Sequence, residues 1–125
     1  MDSGSQYTPE LLEHYRNPRH VGTLDKPDGQ AERENKVCGD VLQIFMKVEG
    51  DTVKEIRFKA EGCIPTIALA SYAVEWATGR KVGEVQRLSP AQLANALGPL
   101  PQHKLHAALL VIEALRGALS DSFLK

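Results

Sequence analysis

Leu42-Gln43-Ile44-Phe45-Met46-Lys47-Val48, then Glu49-Gly50-Asp51, then Glu55-Ile56-Arg57-Phe58-Lys59-Ala60 is the stretch that decides the fold. In the first run Leu42, Ile44, Met46 and Val48 alternate with Gln43, Phe45 and Lys47, the period of a strand with one apolar face. In the last run Ile56, Phe58 and Ala60 share a face, and Glu55, Arg57 and Lys59 take the other. A short loop around Gly50, Asp51 and Thr52 joins the two as an antiparallel hairpin. The apolar faces coincide only if Ile44 pairs near Phe58 and Met46 near Ile56. A slip of one residue would set Ile44 against Arg57 and lose the shared face.

Working outward, residues 8–15 read as a short helix with Thr8 as N-cap and Pro9 in the first helical position; Asn17-Pro18 stops it. Residues 18–36 are polar and rich in Gly and Pro, a loop that ends in a polar edge strand over 31–36. Beyond the hairpin, Ile67, Ala70, Ser71, Val74 and Ala77 recur at helical spacing, with Pro65 in the first turn and Gly79 at the end. Short helices are expected over 83–88 and 90–97. A long C-terminal helix starts near Pro101, with Leu105, Ala108, Ile112, Leu115 and Leu119 on its core stripe. Strands first and helices after predict an α+β domain: a small antiparallel sheet of about three strands with helices on one side. The 125 residues suit a single domain over 1–125, with 1–6 a flexible tail.

The formal net charge of -1 gives no electrostatic case for nucleic acid or an anionic membrane. No apolar run has the length of a membrane span, and the first residues lack the basic and apolar regions of a signal peptide. A cytoplasmic location is therefore expected, where two cysteines serve as thiols or ligands rather than a disulfide.

The hairpin register carries a chemical consequence. Cys38 precedes the first strand and Cys63 follows the second, so both thiols fall at the open end. Extending the ladder sets Cys38 opposite Ile64 and Cys63 opposite Gly39. Asp40, two residues after Cys38, sends its side chain to the same side in extended chain, and Gly39 leaves the backbone free to adjust. Cys63 abuts a helix N-terminus, which favours a thiolate. His106, early in the last helix, can complete a set of Cys38, Asp40, Cys63 and His106, which zinc or iron would accept. Taken singly, each residue has a plainer reading, a cysteine as a small buried hydrophobe or a histidine as a hydrogen-bonded structural group; the convergence of the two thiols brings the metal reading level with the plain one. His14, His20 and His103 read as surface histidines, and Arg57-Phe58-Lys59 as a solvated strand face.

Several separated motifs, in order, resemble the IscU/NifU-type iron–sulfur scaffold family over roughly residues 7–119. They are Tyr7, then Glu13-His14-Tyr15-Arg16-Asn17-Pro18-Arg19 with Val21-Gly22. Val37-Cys38-Gly39-Asp40 follows, then Arg57-Phe58-Lys59 with Gly62-Cys63, Ala68 and Ser71, and finally Leu100-Pro101, Lys104 and His106. The resemblance implies a scaffold that takes sulfur from a cysteine desulfurase, combines it with iron and passes a 2Fe-2S cluster to acceptor apo-proteins. It implies Cys38, Cys63 and His106 as metal or cluster ligands and Asp40 as the aspartate that keeps the cluster labile. Zinc is a further occupant for the isolated protein. Two departures stand out. Ala107 replaces the family's third cysteine, which argues against direct sulfur acceptance there. Leu100-Pro101-Gln102-His103-Lys104 departs from the family's chaperone-recognition run, which argues against an Hsp70-type chaperone. Competing roles are a mononuclear zinc or iron protein of the same fold, an adaptor, and an enzyme with Cys38 or Cys63 as nucleophile and His106 as base. Nothing resembles an oxyanion-hole motif, so the chain is read as a non-enzyme.

Overall fold

The structure is a computed structural model that describes residues 7–124; the reading of 1–6 as a flexible tail lies outside them. Element order is α1 (Pro9–Arg16), β1 (Gly29–Asn35), β2 (Asp40–Glu49), β3 (Thr52–Glu61), α2 (Ile64–Ala77), α3 (Val82–Arg87), α4 (Pro90–Ala96) and α5 (His106–Leu124), with a 3-10 turn over Gln102–Lys104 before α5. Thr8 caps α1 as its side chain accepts from Leu11 N–H at 3.1 Å, and the Thr8 hydroxyl donates in turn to the Leu97 carbonyl. Asn17 closes the helix.

The sheet is antiparallel in the order β1-β2-β3. Ile44 pairs with Phe58 and Met46 with Ile56, the register that joins the two apolar faces. Near the turn the register shifts between Lys47 and Val48, and this bulge shortens the loop to Gly50 and Asp51 between the paired Glu49 and Thr52. Gly50 takes φ +62°, left-handed backbone suited to glycine. Leu42, Ile44, Met46, Ile56 and Phe58 are all buried, each stabilising the fold by about 1.5–3 kcal/mol. α5 packs on β1 and β2, while α2 packs on β3 and α5. The strand over 31–36 begins earlier than its sequence suggests, at Gly29.

Two helix expectations need correction. α2 is buried nearly all round, with Leu69, Ala68 and Ala73 in the core as well as Ala70, Val74 and Ala77, whereas Ile67 is only half-buried. Its position between α1, β3 and α5 leaves little free surface. At the last helix, Leu105 is 46% exposed rather than on the core stripe, because the 3-10 turn delays the start of α5 to His106 and rotates Leu105 outward. Ala107, Leu110, Val111 and Ala114 join Ala108, Ile112, Leu115 and Leu119 in the core.

Two histidines expected on the surface are built into the fold. His14 Nδ1 lies 2.8 Å from Ser71 Oγ, which also accepts from Arg19 N–H at 2.9 Å. This ties α1 and the loop after it to the buried face of α2. His20, at φ +59°, accepts from Phe58 N–H through its carbonyl at 3.0 Å and from Arg57 Nη1 through its ring at 3.0 Å. With Gly22 N–H donating to the Phe58 carbonyl at 2.9 Å, residues 20–22 lie along the edge of β3. Arg57 is accordingly half-buried, while Lys59 and His103 are exposed as read.

Candidate metal centre

The side chains of interest gather where β2 begins, α2 begins and α5 begins. The hairpin ladder ends at the Val41–Glu61 pair, so Cys38 and Cys63 do not continue it to face Ile64 and Gly39. Cys38 instead sits exposed in the turn between β1 and β2, and Gly39, at φ +72°, turns the chain into Asp40. Cys63 leaves the strand direction to become the N-cap of α2. Turn and cap geometry instead bring Cys38 and Cys63 each to Asp40, and Cys63 does not join the close group of ligand atoms expected of the two thiols.

Ligand atoms of Cys38, Asp40 and His106 all lie within 4.8 Å of one another. Cys63 stands outside that trio and meets it through Asp40. Its backbone N–H donates to Asp40 Oδ1 at 2.8 Å, and its Sγ is 3.6 Å from Asp40 Oδ2 and 3.2 Å from Thr66 Oγ1. The Thr66 hydroxyl donates to Asp40 Oδ2 at 3.0 Å. Asp40 is the pivot of the arrangement and is fully buried, as is Thr66.

A buried carboxylate is costly without compensation. Asp40 takes its compensation from a helix N-terminus, one amide and one hydroxyl. On the remaining side, His106 Nε2 lies 3.5 Å from Asp40 Oδ2. That nitrogen is itself buried without a hydrogen-bond partner. An unpartnered imidazole nitrogen, a buried carboxylate and a nearby thiol form a donor set within 4.8 Å of one another. A cation of the zinc or iron type would satisfy all of them at once. The donors thus fit such an occupant.

Two further residues shape the site. Gly62, at φ +140°, packs against Asp40 so closely that a Cβ there would strike Asp40 Oδ1 and lie 2.9 Å from its Cα and Cγ. Thr66 escaped sequence reasoning. Its signal was a lone hydroxyl three residues after Cys63, in an otherwise apolar helix start of Ile64, Pro65, Ile67 and Ala68, where i and i+3 share a face. Nearby, burial raises the pKa of the Tyr7 hydroxyl; Lys104 opposes this and Cys63 reinforces it. Ala107 follows His106 and is fully buried.

No helix among the described residues is long and apolar enough to cross a membrane. Residues 6–125 match the family model of the NifU-like N-terminal domain. The chain is 38% identical over 119 residues to the iron-sulfur cluster assembly scaffold protein IscU 1 of Archaeoglobus fulgidus, spanning 95% of this chain and 78% of that one. To the iron-sulfur cluster assembly scaffold protein IscU of Haemophilus influenzae it is 35% identical over 119 residues, 92% of this chain and 94% of the relative. The crystal structure of the N-terminal part of a nitrogen-fixing NifU-like protein from Brucella abortus superposes with a TM-score of 0.81. That likeness covers 96% of both chains at 19% identity and bears on the fold alone. Motif order, fold and relatives agree, and the chain belongs to the NifU-like N-terminal domain family.

Proposed function

We propose that this chain is an iron–sulfur cluster assembly scaffold, a single domain over 1–125 that holds iron or a 2Fe-2S cluster as cargo for acceptor apo-proteins. The observation that carries the reading is the buried, unpartnered His106 Nε2, 3.5 Å from the fully buried Asp40 carboxylate and grouped with Cys38. Cys38, Asp40, Cys63 and His106 are the proposed ligands, with Cys63 turning its Sγ from Thr66 toward the cargo. Zinc would occupy the same donors in protein isolated without iron.

The ligand chemistry suits a carrier that releases what it holds. Thiolates bind iron strongly, whereas a carboxylate is a harder and weaker partner for it than a thiolate, so a set containing Asp40 gives up a cluster more readily than four thiolates would. Exposure of Cys38 in its turn leaves one side of the site open to an incoming acceptor. The role is a carrier's rather than a catalyst's, in the cytoplasm. A cysteine desulfurase is the sulfur source it calls for. Ala107 in place of the family's third cysteine argues against persulfide acceptance at that position, and Gln102-His103 argues against an Hsp70-type chaperone.

The test is transfer. Protein loaded anaerobically with ferrous iron and sulfide is mixed with a metal-free 2Fe-2S acceptor, and circular dichroism follows the cluster. The reading expects iron and sulfide bound in equal amounts, then handed on. Bound metal without sulfide, or a cluster that never moves, would overturn it.

A further inference from the structure

Thr66 is a fully buried hydroxyl with two neighbours and one hydrogen to give. It lies in the first turn of α2 and its Oγ1 donates to Asp40 Oδ2 at 3.0 Å, while Cys63 Sγ sits 3.2 Å from Thr66 Oγ1. Asp40 Oδ2 is also the atom that faces His106 Nε2 at 3.5 Å and Cys63 Sγ at 3.6 Å. The lone pairs a cation would use on Oδ2 are thus partly engaged by Thr66, in a site too buried for water to replace that bond cheaply.

We propose that Thr66 is a positioning residue that sets the strength of the grip: its hydroxyl holds Asp40 Oδ2 in place and, by sharing the carboxylate lone pairs, keeps Asp40 a weak ligand. This rests on the metal reading above and deepens it. A carboxylate oxygen that already accepts a charge-assisted hydrogen bond is a poorer Lewis base than one that does not. Asp40 Oδ1 remains tied to Cys63 N–H either way, so loss of the Thr66 bond frees one oxygen without freeing the side chain. Valine matches threonine in shape and lacks the hydroxyl, whereas serine keeps it.

Co2+ serves as the probe, because thiolate-to-cobalt charge transfer reports ligation directly in the near ultraviolet. Titrating metal-free parent, Thr66→Val and Thr66→Ser with Co2+ should give Thr66→Val an affinity about tenfold tighter, the scale of one charge-assisted hydrogen bond. Thr66→Ser should match the parent. In the absence of metal, Thr66→Val should melt at lower temperature than the parent, since Oδ2 has lost a donor, and should gain more from saturating Co2+. A parent that shows no thiolate-to-cobalt band would sink the metal reading and this inference with it. A parent that binds, with Thr66→Val equal or weaker, overturns the role of Thr66 alone. So does a Thr66→Ser that behaves like Thr66→Val.

Discussion

Replacing Gly62 by alanine puts a methyl group where Asp40 stands. The new Cβ would overlap Asp40 Oδ1 and approach Asp40 Cα and Cγ to 2.9 Å, on backbone at φ +140° that L-residues avoid. The backbone conformation alone costs about 1–3 kcal/mol. Relieving the overlap means moving either α2 or the start of β2, an overpacking cost of about 1–3 kcal/mol. The sum, about 2–6 kcal/mol, is a large part of a domain stability of about 5–15 kcal/mol. At about 3–6 °C per kcal/mol for a chain of this size, the metal-free variant should melt roughly 6–36 °C below the parent. Gly50→Ala supplies the control: Gly50 also has positive φ, +62°, but open space where its Cβ would lie, so only backbone strain of about 1–2 kcal/mol applies. Thermal melts and urea titrations of both variants give the comparison. If Gly62→Ala costs no more than Gly50→Ala, Asp40 does not occupy the place described and the geometry of the centre is wrong.

Three further outcomes are expected. Asp40→Ala orphans the Cys63 amide and the Thr66 hydroxyl, so the metal-free variant should lose about 1–3 kcal/mol, while its loaded cluster should pass to a chelator more slowly than the parent's; faster loss would refute the labilising role. His14 has its pKa lowered by burial, with Arg19 adding and Glu75 and Glu13 opposing, so the unfolded chain binds its proton more readily than the fold does. That contribution to stability is intact above the unfolded value of 6.5 and is lost as pH falls below it, so the urea midpoint should drop between pH 7.5 and 5.5, and drop less in His14→Gln. Ala107→Cys adds a sulfur at a fully buried position, so it should fold but cost about 1–3 kcal/mol, and mass spectrometry after treatment with a cysteine desulfurase should find more persulfide on it than on the parent.

Periodicity explains which parts of the structure were legible in the residues. Ile44, Met46, Ile56 and Phe58 fix one register because any slip buries Arg57, and the structure keeps that register. The proximity of Cys38 to Asp40 and of Cys63 to Asp40 was also legible, but by the wrong route. The ladder stops at Glu61, and a glycine turn and a helix cap do the rest. Local pattern carries no information on such tertiary contacts. The same limit hid the contact between His14 and Ser71 and the bond from Arg57 to His20, because each joins residues far apart in sequence. Leu105 misled for a different reason. A helical stripe was extended through Gln102-His103-Lys104, where a 3-10 turn changes the phase.

The central claim is that Cys38 and Cys63 hold the cargo, and iron and acid-labile sulfide bound after anaerobic reconstitution test it most directly. The parent should bind iron and sulfide in equal amounts, and a Cys38→Ala, Cys63→Ala double variant, confirmed as folded by circular dichroism, should bind almost none. Iron and sulfide retained at the parent's level in the double variant would contradict the account.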